Sequence, residues 1–272
     1  MRSHGLVELP VGFGGHDHVC WSYAHEEERT DVALAWLREG AERGCLPVYV
    51  GPDGSSVLQA WSDAGHSEPL EAFAVEDLYD LSRPINVPDQ IALYAAKVDA
   101  AVAAGNAGVR VFADTTRLLT DHSRWESHAS WEHQADRWMA AGGRIAAMCA
   151  YDSRRIRPQV IASLHPARYV PDMYVPFSLH AGPGGLILEG SPDALCAETF
   201  GGALFIVSCG GLVTIDVNHL EFIDGHAAAL LARRVEQAKA GGTAMRFVGR
   251  NEKLRRLWDL LELDPEMIEG VS

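Results

Sequence analysis

The sequence predicts an α/β protein with a largely parallel sheet, because short apolar runs alternate with helical stretches through its first half. We predict strands at residues 18–23, 47–50, 109–113 and 144–150, and helices at residues 31–43, 57–64, 88–104 and 125–141. A helix that connects two strands is a crossover, which leaves those strands parallel. We therefore expect a mostly parallel sheet with flanking helices.

A second, smaller α/β unit is predicted after a segment rich in proline, glycine and aromatic residues. Its strands are predicted at 186–189, 212–217 and 244–248, and its main helices at 225–240 and 251–261. The adjacent glycines Gly241 and Gly242 supply the left-handed backbone that commonly ends a helix. The predicted domains are residues 10–170 and 185–272, with a linker at 171–184.

Composition and charge narrow the classes of partner. The 272 residues carry a formal net charge of -14, which argues against direct nucleic-acid binding because phosphate contacts need clustered Lys and Arg. The five cysteines form no CxxC pair, and no basic-then-apolar leader opens the chain. The apolar stretch 203–217 contains Gly210 and Gly211 and is shorter than the ~20 residues needed to cross a bilayer. We expect a reduced, cytoplasmic protein without a membrane partner.

A ligand site is predicted at one edge of the first sheet. Open parallel sheets bind ligands in the crevice beyond the carboxyl ends of their strands. The predicted strands end in polar residues, so we expect a pocket for a small organic ligand whose binding repositions the second domain. The residues expected at this edge are Tyr23, His25, Asp53, Asp114, Thr115, Thr116, Tyr151 and Asp152.

A metal or haem site is a further hypothesis for the first predicted strand. Strand alternation places His16, His18 and Cys20 on one face, and imidazole and thiolate are common metal ligands. One strand is too short to surround a tetrahedral ion, so Cys149 or His165 would have to complete the site. The alternative is structural, with the cysteines as small buried side chains and His18 as a hydrogen-bonded buried imidazole. The sequence leaves the cofactor undecided.

The predicted helix at 125–141 is rich in histidine and tryptophan. We expect His122, His128 and His133 to lie on a solvated face or a lid. The tryptophans of this region, if exposed, would suit a homodimer interface, since aromatic residues are enriched at interfaces. They are Trp125, Trp131 and Trp138.

The segment 212–231 resembles the centre of a STAS domain, the anti-sigma-factor-antagonist module. A strand ends in Asp, a hydrophobic turn leads to Asp224, and an apolar helix follows. The resemblance covers residues 186–264 and implies a protein partner, such as an anti-sigma factor or a histidine-kinase-like regulator, that contacts Asp224, Gly225 and His226. Gly225 stands where the family has its phosphorylatable serine, so the usual phosphorylation is not expected there. Asp224 is also predicted to cap the helix.

The run 16–23, with the helix and strand that follow, resembles the opening of a MEDS domain, a sensory module of methanogen and methylotroph regulators. His18, Cys20, Tyr23, Gly40 and Tyr49 fall on the marks of that family. The segments 148–152 and 164–166, with a helical Glu132, resemble its closing motif. The resemblance covers residues 10–170 and implies sensing of a small ligand or cofactor. The candidate ligand-binding residues are His18, Cys20, Tyr23, His25, Asp114, Glu132, Cys149, Tyr151 and Asp152.

The same order of elements is similar to the core of RecA-type P-loop ATPases, but the phosphate loop is missing. The corresponding turn, 22–30, contains three consecutive glutamates, whose charges would repel phosphate, so ATP is not expected. We find no arrangement of nucleophile and base typical of an established enzyme. The leading hypothesis is a non-catalytic signalling protein. The alternatives are an enzyme or a metal- or haem-binding protein that uses the His/Cys strand of a degenerate RecA-like site, and a scaffold that has lost its ligand.

Overall fold

The computed structural model describes residues 5–6, 12–156, 167–169, 176–182, 184–204, 211–268 and 270–272. These residues form two sheets, each with helices packed against it. Apolar side chains are buried on both faces of the first sheet, and a separate core forms on the second.

The first sheet contains seven described strands, and every neighbouring pair is parallel. Their order across the sheet is β1-β7-β2-β6-β5-β3-β4. The predicted parallel sheet is confirmed. The strands are β1 (Gly5–Leu6), β2 (His18–Tyr23), β3 (Leu46–Val50), β4 (Glu71–Phe73), β5 (Val109–Asp114), β6 (Ile145–Asp152) and β7 (Ala167–Tyr169).

Helices cover both faces of this sheet. Because side chains alternate along a strand, Val111 of β5 packs with α4 and α6, whereas its neighbour Phe112 packs with α1 and α2. The helices are α1 (Glu26–Glu42), α2 (Gly54–Asp63), α3 (Val75–Leu78), α4 (Val87–Ala103), α5 (Thr116–Leu119) and α6 (Trp125–Ala140).

Helix α1 begins at Glu26, five residues before the predicted start at Asp31. Its first turn consists of Glu26, Glu27 and Glu28. Carboxylates near a helix N-terminus are stabilised by the helix dipole and the free backbone N–H groups. The three glutamates therefore start the helix, and the prediction that they belong to a turn was wrong.

The second sheet has the described order β12-β11-β10-β9-β8. Strands β8 and β9 form an antiparallel pair, and the remaining pairs are parallel, so the predicted second α/β unit is confirmed. Residues 177–182, which the sequence assigned to the linker, form β8. The elements are β8 (Phe177–Gly182), β9 (Gly185–Gly190), α7 (Ala197–Ala203), β10 (Gly211–Asp216), α8 (Gly225–Ala240), β11 (Thr243–Gly249), α9 (Glu252–Leu260) and β12 (Gly270–Val271).

Helix α6 of the first domain contacts the second. It packs against β8 and α7. The backbone N–H of Ala181 in β8 donates a hydrogen bond to Asp136 Oδ2 on α6, with an N···O distance of 2.8 Å. One face of α6 therefore lies on the first sheet while the helix also touches the second domain.

Among the described residues, no helix combines the length and apolar character required to span a membrane.

Candidate functional site

A group of polar side chains is buried between the first sheet and α6. Its members from α6 are spaced four residues apart, so they share one face of the helix. Each member is at most 6% exposed. We call this group the buried cluster, and it comprises His18 from β2, Cys149 and Tyr151 from β6, and His128, Glu132 and Asp136 from α6.

Glu132 is the centre of the buried cluster. Its Oε2 lies 3.1 Å from His18 Nε2, and its Oε1 lies 3.2 Å from His128 Nε2. The Tyr151 hydroxyl donates to Oε1 at 3.3 Å and lies 3.1 Å from His128 Nε2. Cys149 Sγ lies 3.6 Å from Glu132 Oε2 and 3.7 Å from His18 Nε2. One carboxylate thus contacts four other polar side chains.

The three buried histidines of this region differ in charge. Burial lowers the pKa of His18, but the facing carboxylates of Asp136 and Glu132 outweigh it, so the pKa is raised overall. Burial lowers the pKa of His128, and it lowers that of His133 to about 4. His18 is therefore the imidazole favoured to carry a proton, while His128 and His133 are neutral.

Cys149 and Tyr151 hold their protons near neutral pH. Burial and the adjacent Glu132 carboxylate raise the pKa of the Cys149 thiol well above its ordinary value. The same two causes raise the pKa of the Tyr151 hydroxyl. In the structure as it stands, both groups are thus hydrogen-bond donors toward Glu132.

A small cavity adjoins the buried cluster. Its volume is about 20 Å³, enough for about one water-sized molecule and far too small for a porphyrin. The haem hypothesis is therefore not supported at this position. The cavity is lined by the polar side chains of His18, Glu132 and Cys149, and by Tyr79, Tyr94, Val111, Ala113, Trp131, Ala135, Trp138, Met139, Ile145 and Ala147.

The predicted crevice at the strand ends is largely filled by its own side chains. The Tyr23 hydroxyl donates to Asp114 Oδ2 at 2.6 Å, and the buried Arg29 lies 3.4 Å from the same oxygen. Arg29 also pairs with Asp53 at 3.3 Å. Thr116 donates to the other Asp114 oxygen at 2.7 Å. Tyr23, Asp114 and Thr116 therefore do meet at this edge, with Asp53 joined through Arg29, but they bond to one another.

A larger cavity, of about 410 Å³, lies at the carboxyl ends of β3 and β4. Asp53 lines it, but Tyr23 and Asp114 do not. Tyr23 packs on the α1 face of the sheet, the opposite face from the buried cluster. The nine predicted ligand-binding residues therefore divide between two faces and an edge.

The remaining predicted residues lie away from the cluster. His25 is exposed at the start of α1, and both Asp152 oxygens accept hydrogen bonds from Arg154, at 2.9 and 2.8 Å. His16 is exposed and precedes β2, so it does not join His18 and Cys20 in one strand. His165 lies outside the described residues.

The exposure of the side chains on α6 was wrongly predicted from the sequence. The prediction of a solvated face was wrong for His128 and His133, which are 0% and 1% exposed. Trp131 is buried too, and Trp138 packs against the same core, so they do not form the expected exposed dimer face. The spacing of His128, Glu132 and Asp136 was the available signal for one shared helix face.

Two family models match the chain, one in each of its two α/β units. The family model described as the MEthanogen/methylotroph, DcmR Sensory domain matches residues 17–166, more than half of the chain. The chain belongs to the MEDS family. All members of the buried cluster lie within the MEDS match. A STAS domain model matches residues 193–271, and a comparison with curated proteins found no match.

Both resemblances stated from the sequence are thus confirmed. The MEDS and STAS domains are of regulatory and signalling types, and a STAS domain indicates interaction with other proteins. The MEDS domain contains the buried cluster, and the STAS domain contains Asp224, Gly225 and His226 at the start of α8.

In the STAS domain, Asp224 caps α8, as the sequence predicted. Its Oδ1 accepts the Ala227 N–H at 2.8 Å, and its Oδ2 accepts the Ala194 N–H at 2.8 Å. Gly225 begins the helix and is half-buried, while His226 is exposed. Two apolar side chains near this cap are also exposed. Phe222, two residues before Asp224, is 50% exposed, and Leu195, which follows Ala194, is 96% exposed.

Proposed function

We propose that the chain is a non-catalytic signalling protein whose MEDS domain binds a very small molecule at the buried cluster. The STAS domain transmits the bound state to a protein partner. One observation carries the proposal: Asp136, a member of the cluster, also contacts the second sheet, since its Oδ1 is 3.6 Å from His18 Nδ1 and its Oδ2 accepts the N–H of Ala181 in β8.

The route from the cluster to the second sheet is short. Glu132 and Asp136 are one turn apart on α6, so a ligand that contacts Glu132 or His18 acts on the helix that holds Asp136. The hydrogen bond from Ala181 then couples α6 to β8. Strand β8 is at the edge of its sheet and pairs with β9, which pairs with β10. Binding thus favours one placement of β8 over another.

The cavity defines the class of ligand. Most of its wall is apolar, with polar atoms contributed mainly by His18, Glu132 and Cys149. Its volume of about 20 Å³ is somewhat more than one water needs, which limits the ligand to at most one carbon and one polar group. Methanol is the simplest probe with this character.

Hydrogen exchange measured by mass spectrometry tests ligand binding on the full chain. With methanol present, we expect slower exchange in α6 and altered exchange in β8. Ala147→Val adds two methyl groups to the cavity wall and should abolish both effects. Its control is Ala146→Val, because Ala146 is the adjacent residue of β6 and packs on the opposite face.

The comparison of these variants decides between binding in the cavity and binding elsewhere. A response that persists in Ala147→Val, or that is lost equally in Ala146→Val, would contradict the proposed site. A wild-type chain that gives no response to methanol, methylamine or formaldehyde would contradict the ligand class.

The output surface is proposed at the start of α8. His226, Leu195 and Phe222 are exposed around the Asp224 cap, and an anti-sigma factor or a histidine-kinase-like regulator would contact them. Isothermal titration calorimetry with purified anti-sigma-factor kinase domains measures this binding. Phe222→Asp and His226→Ala should each weaken binding at least tenfold, whereas His219→Ala, an exposed histidine before this turn, should not. Equal binding by all variants would reject this surface.

A further inference from the structure

We propose that the buried cluster holds one divalent transition-metal ion of the zinc class, bound by His18 Nε2, Glu132 Oε2 and Cys149 Sγ. This inference deepens the proposed function, because it names what the sensing site would use to bind its ligand. Among the described His, Cys, Asp and Glu side chains, these three form a group whose possible ligand atoms all lie within 4.8 Å of one another.

The three donor atoms form a compact triangle. Its sides are 3.1 Å between Nε2 and Oε2, 3.6 Å between Oε2 and Sγ, and 3.7 Å between Sγ and Nε2. Tetrahedral zinc with ordinary bond lengths separates a nitrogen and an oxygen ligand by about 3.3 Å, and either of them from a sulfur by about 3.5 Å. The site therefore needs only shifts of a few tenths of an ångström to accept the ion.

The charges of the ligands balance those of the ion. Loading releases to the solvent the thiol proton of Cys149 and the Nε2 proton of His18, because both ligand atoms must be unprotonated to bind the ion. One thiolate and one carboxylate then neutralise a divalent cation, which limits the cost of burying it. The other ring nitrogen of His18 faces Asp136 at 3.6 Å, and a carboxylate in that position orients a ligating histidine.

Three protein ligands leave a fourth position open. The same three side chains line the cavity of about 20 Å³, so the open position faces space for a water or a ligand of similar size. Sites with three protein ligands and an exchangeable fourth are those at which zinc binds small molecules. The metal would thus give the apolar cavity its point of attachment for a polar group.

The geometry also distinguishes the two neighbouring cysteines. Cys20 and Cys149 are register partners on β2 and β6, and both are buried. Only Cys149 belongs to the three-donor group. Cys20→Ser is therefore a matched control for Cys149→Ser.

The first experiment measures metal content of the purified full chain. The chain is stripped with a chelator, titrated with Zn²⁺, and analysed by native mass spectrometry and elemental analysis with no small-molecule ligand present. We expect one tightly bound zinc per chain. Cys149→Ser and Glu132→Gln should weaken binding more than 100-fold, and Cys20→Ser should leave it within a few-fold of wild type.

The second experiment uses Co²⁺ as a spectroscopic probe. Cobalt in this site should show thiolate-to-metal charge-transfer absorption and the visible bands of tetrahedral coordination. The charge-transfer absorption should disappear in Cys149→Ser and remain in Cys20→Ser. Circular dichroism of each variant shows whether it folds, and the wild-type spectrum tests the site even where a variant does not.

Several outcomes would overturn the metal site. They are a folded wild-type chain that takes up no stoichiometric zinc, zinc that persists in both Cys149→Ser and Glu132→Gln, and a cobalt spectrum without thiolate absorption. The methanol experiment is scored separately. If the chain binds zinc but its hydrogen exchange does not respond to methanol, only the sensing proposal is rejected. If hydrogen exchange responds to methanol in a chain that binds no metal, only the metal site is rejected.

Discussion

Asp136 and Ala181 are joined by a hydrogen bond of 2.8 Å, from the backbone N–H of Ala181 to Oδ2 of a carboxylate that is 1% exposed. The two residues are separated by 45 positions in the chain. Asp136 is on α6, which packs on the first sheet, and Ala181 is in β8 of the second sheet. Because the other oxygen of Asp136 faces His18, one side chain contacts both the rest of the buried cluster and the edge strand β8 of the second sheet.

Asp136→Ala should uncouple the two domains. A hydrogen bond to a charged group contributes about 1.5–3 kcal/mol, so the free energy of unfolding should fall by that amount. Exchange of the Ala181 amide should become about tenfold faster or more. Hydrogen exchange and urea denaturation measure these effects, and Asp99→Ala, which removes an exposed aspartate from α4, is the control. Unchanged exchange at Ala181 would show that the contact does not hold β8.

Gly40→Ala should destabilise the MEDS domain. A Cβ at Gly40 would lie 2.4 Å from the Cβ and Cγ of Arg110. Arg110 is 2% exposed and stacks on Trp36, with its guanidinium carbon 3.4 Å from the ring centroid. Because the clash is with the base of a buried side chain, we expect a loss of about 1–3 kcal/mol.

Thermal unfolding compares Gly40→Ala with Gly15→Ala, at which an added Cβ meets no atom within 4 Å. Equal melting temperatures for the two variants would contradict close packing of α1 against Arg110.

Asn251 and Asn86 are both helix N-caps, and they should differ in their contribution to stability. Asn251 accepts the Leu254 N–H at 2.9 Å, and its side chain also donates to the carbonyls of Val217 and Leu220, at 3.1 and 2.8 Å. Asn86 makes one cap bond of 3.3 Å. Asn251→Ala should therefore cost about 2–4 kcal/mol and Asn86→Ala about 0.5–1 kcal/mol. Chemical denaturation measures the loss of stability in both variants. A larger loss in Asn86→Ala than in Asn251→Ala would contradict the prediction.

Asp152 should contribute a pH-dependent part of the stability. Hydrogen bonds from Arg154 lower the pKa of its carboxyl. A carboxyl whose pKa is lower in the folded state stabilises that state above the unfolded pKa, about 3.9, and the effect is lost as the pH falls through the folded pKa. Asp152→Asn should thus be less stable than wild type at pH 7, and the difference should shrink toward pH 2. A constant difference across this range would show that charge is not the cause.

The class of fold and most of its elements could be predicted from the sequence. Alternating strands and helices predicted the parallel sheet, and β2 and α8 have the predicted bounds, because periodicity and caps are local properties. The resemblance of particular sequence motifs to known families indicated the MEDS and STAS domains. His18, Glu132, Cys149 and Tyr151 were all named as candidates from the sequence.

Which of these candidate residues contact one another could not be predicted from the sequence and depends on how the chain packs. His18 and Cys149 are 131 positions apart, and their contact depends on β2 pairing with β6, a register that no local pattern specifies. Tyr23 and His18 were both predicted to bind the ligand, but they lie on opposite faces of the sheet because side chains alternate along a strand. The burial of His128 and His133 and the contact of Asp136 with Ala181 depend on α6 packing between two sheets. Packing of that kind is a property of the assembled chain, since hydrophobic burial and hydrogen bonding between distant segments select one arrangement among many with the same local structure.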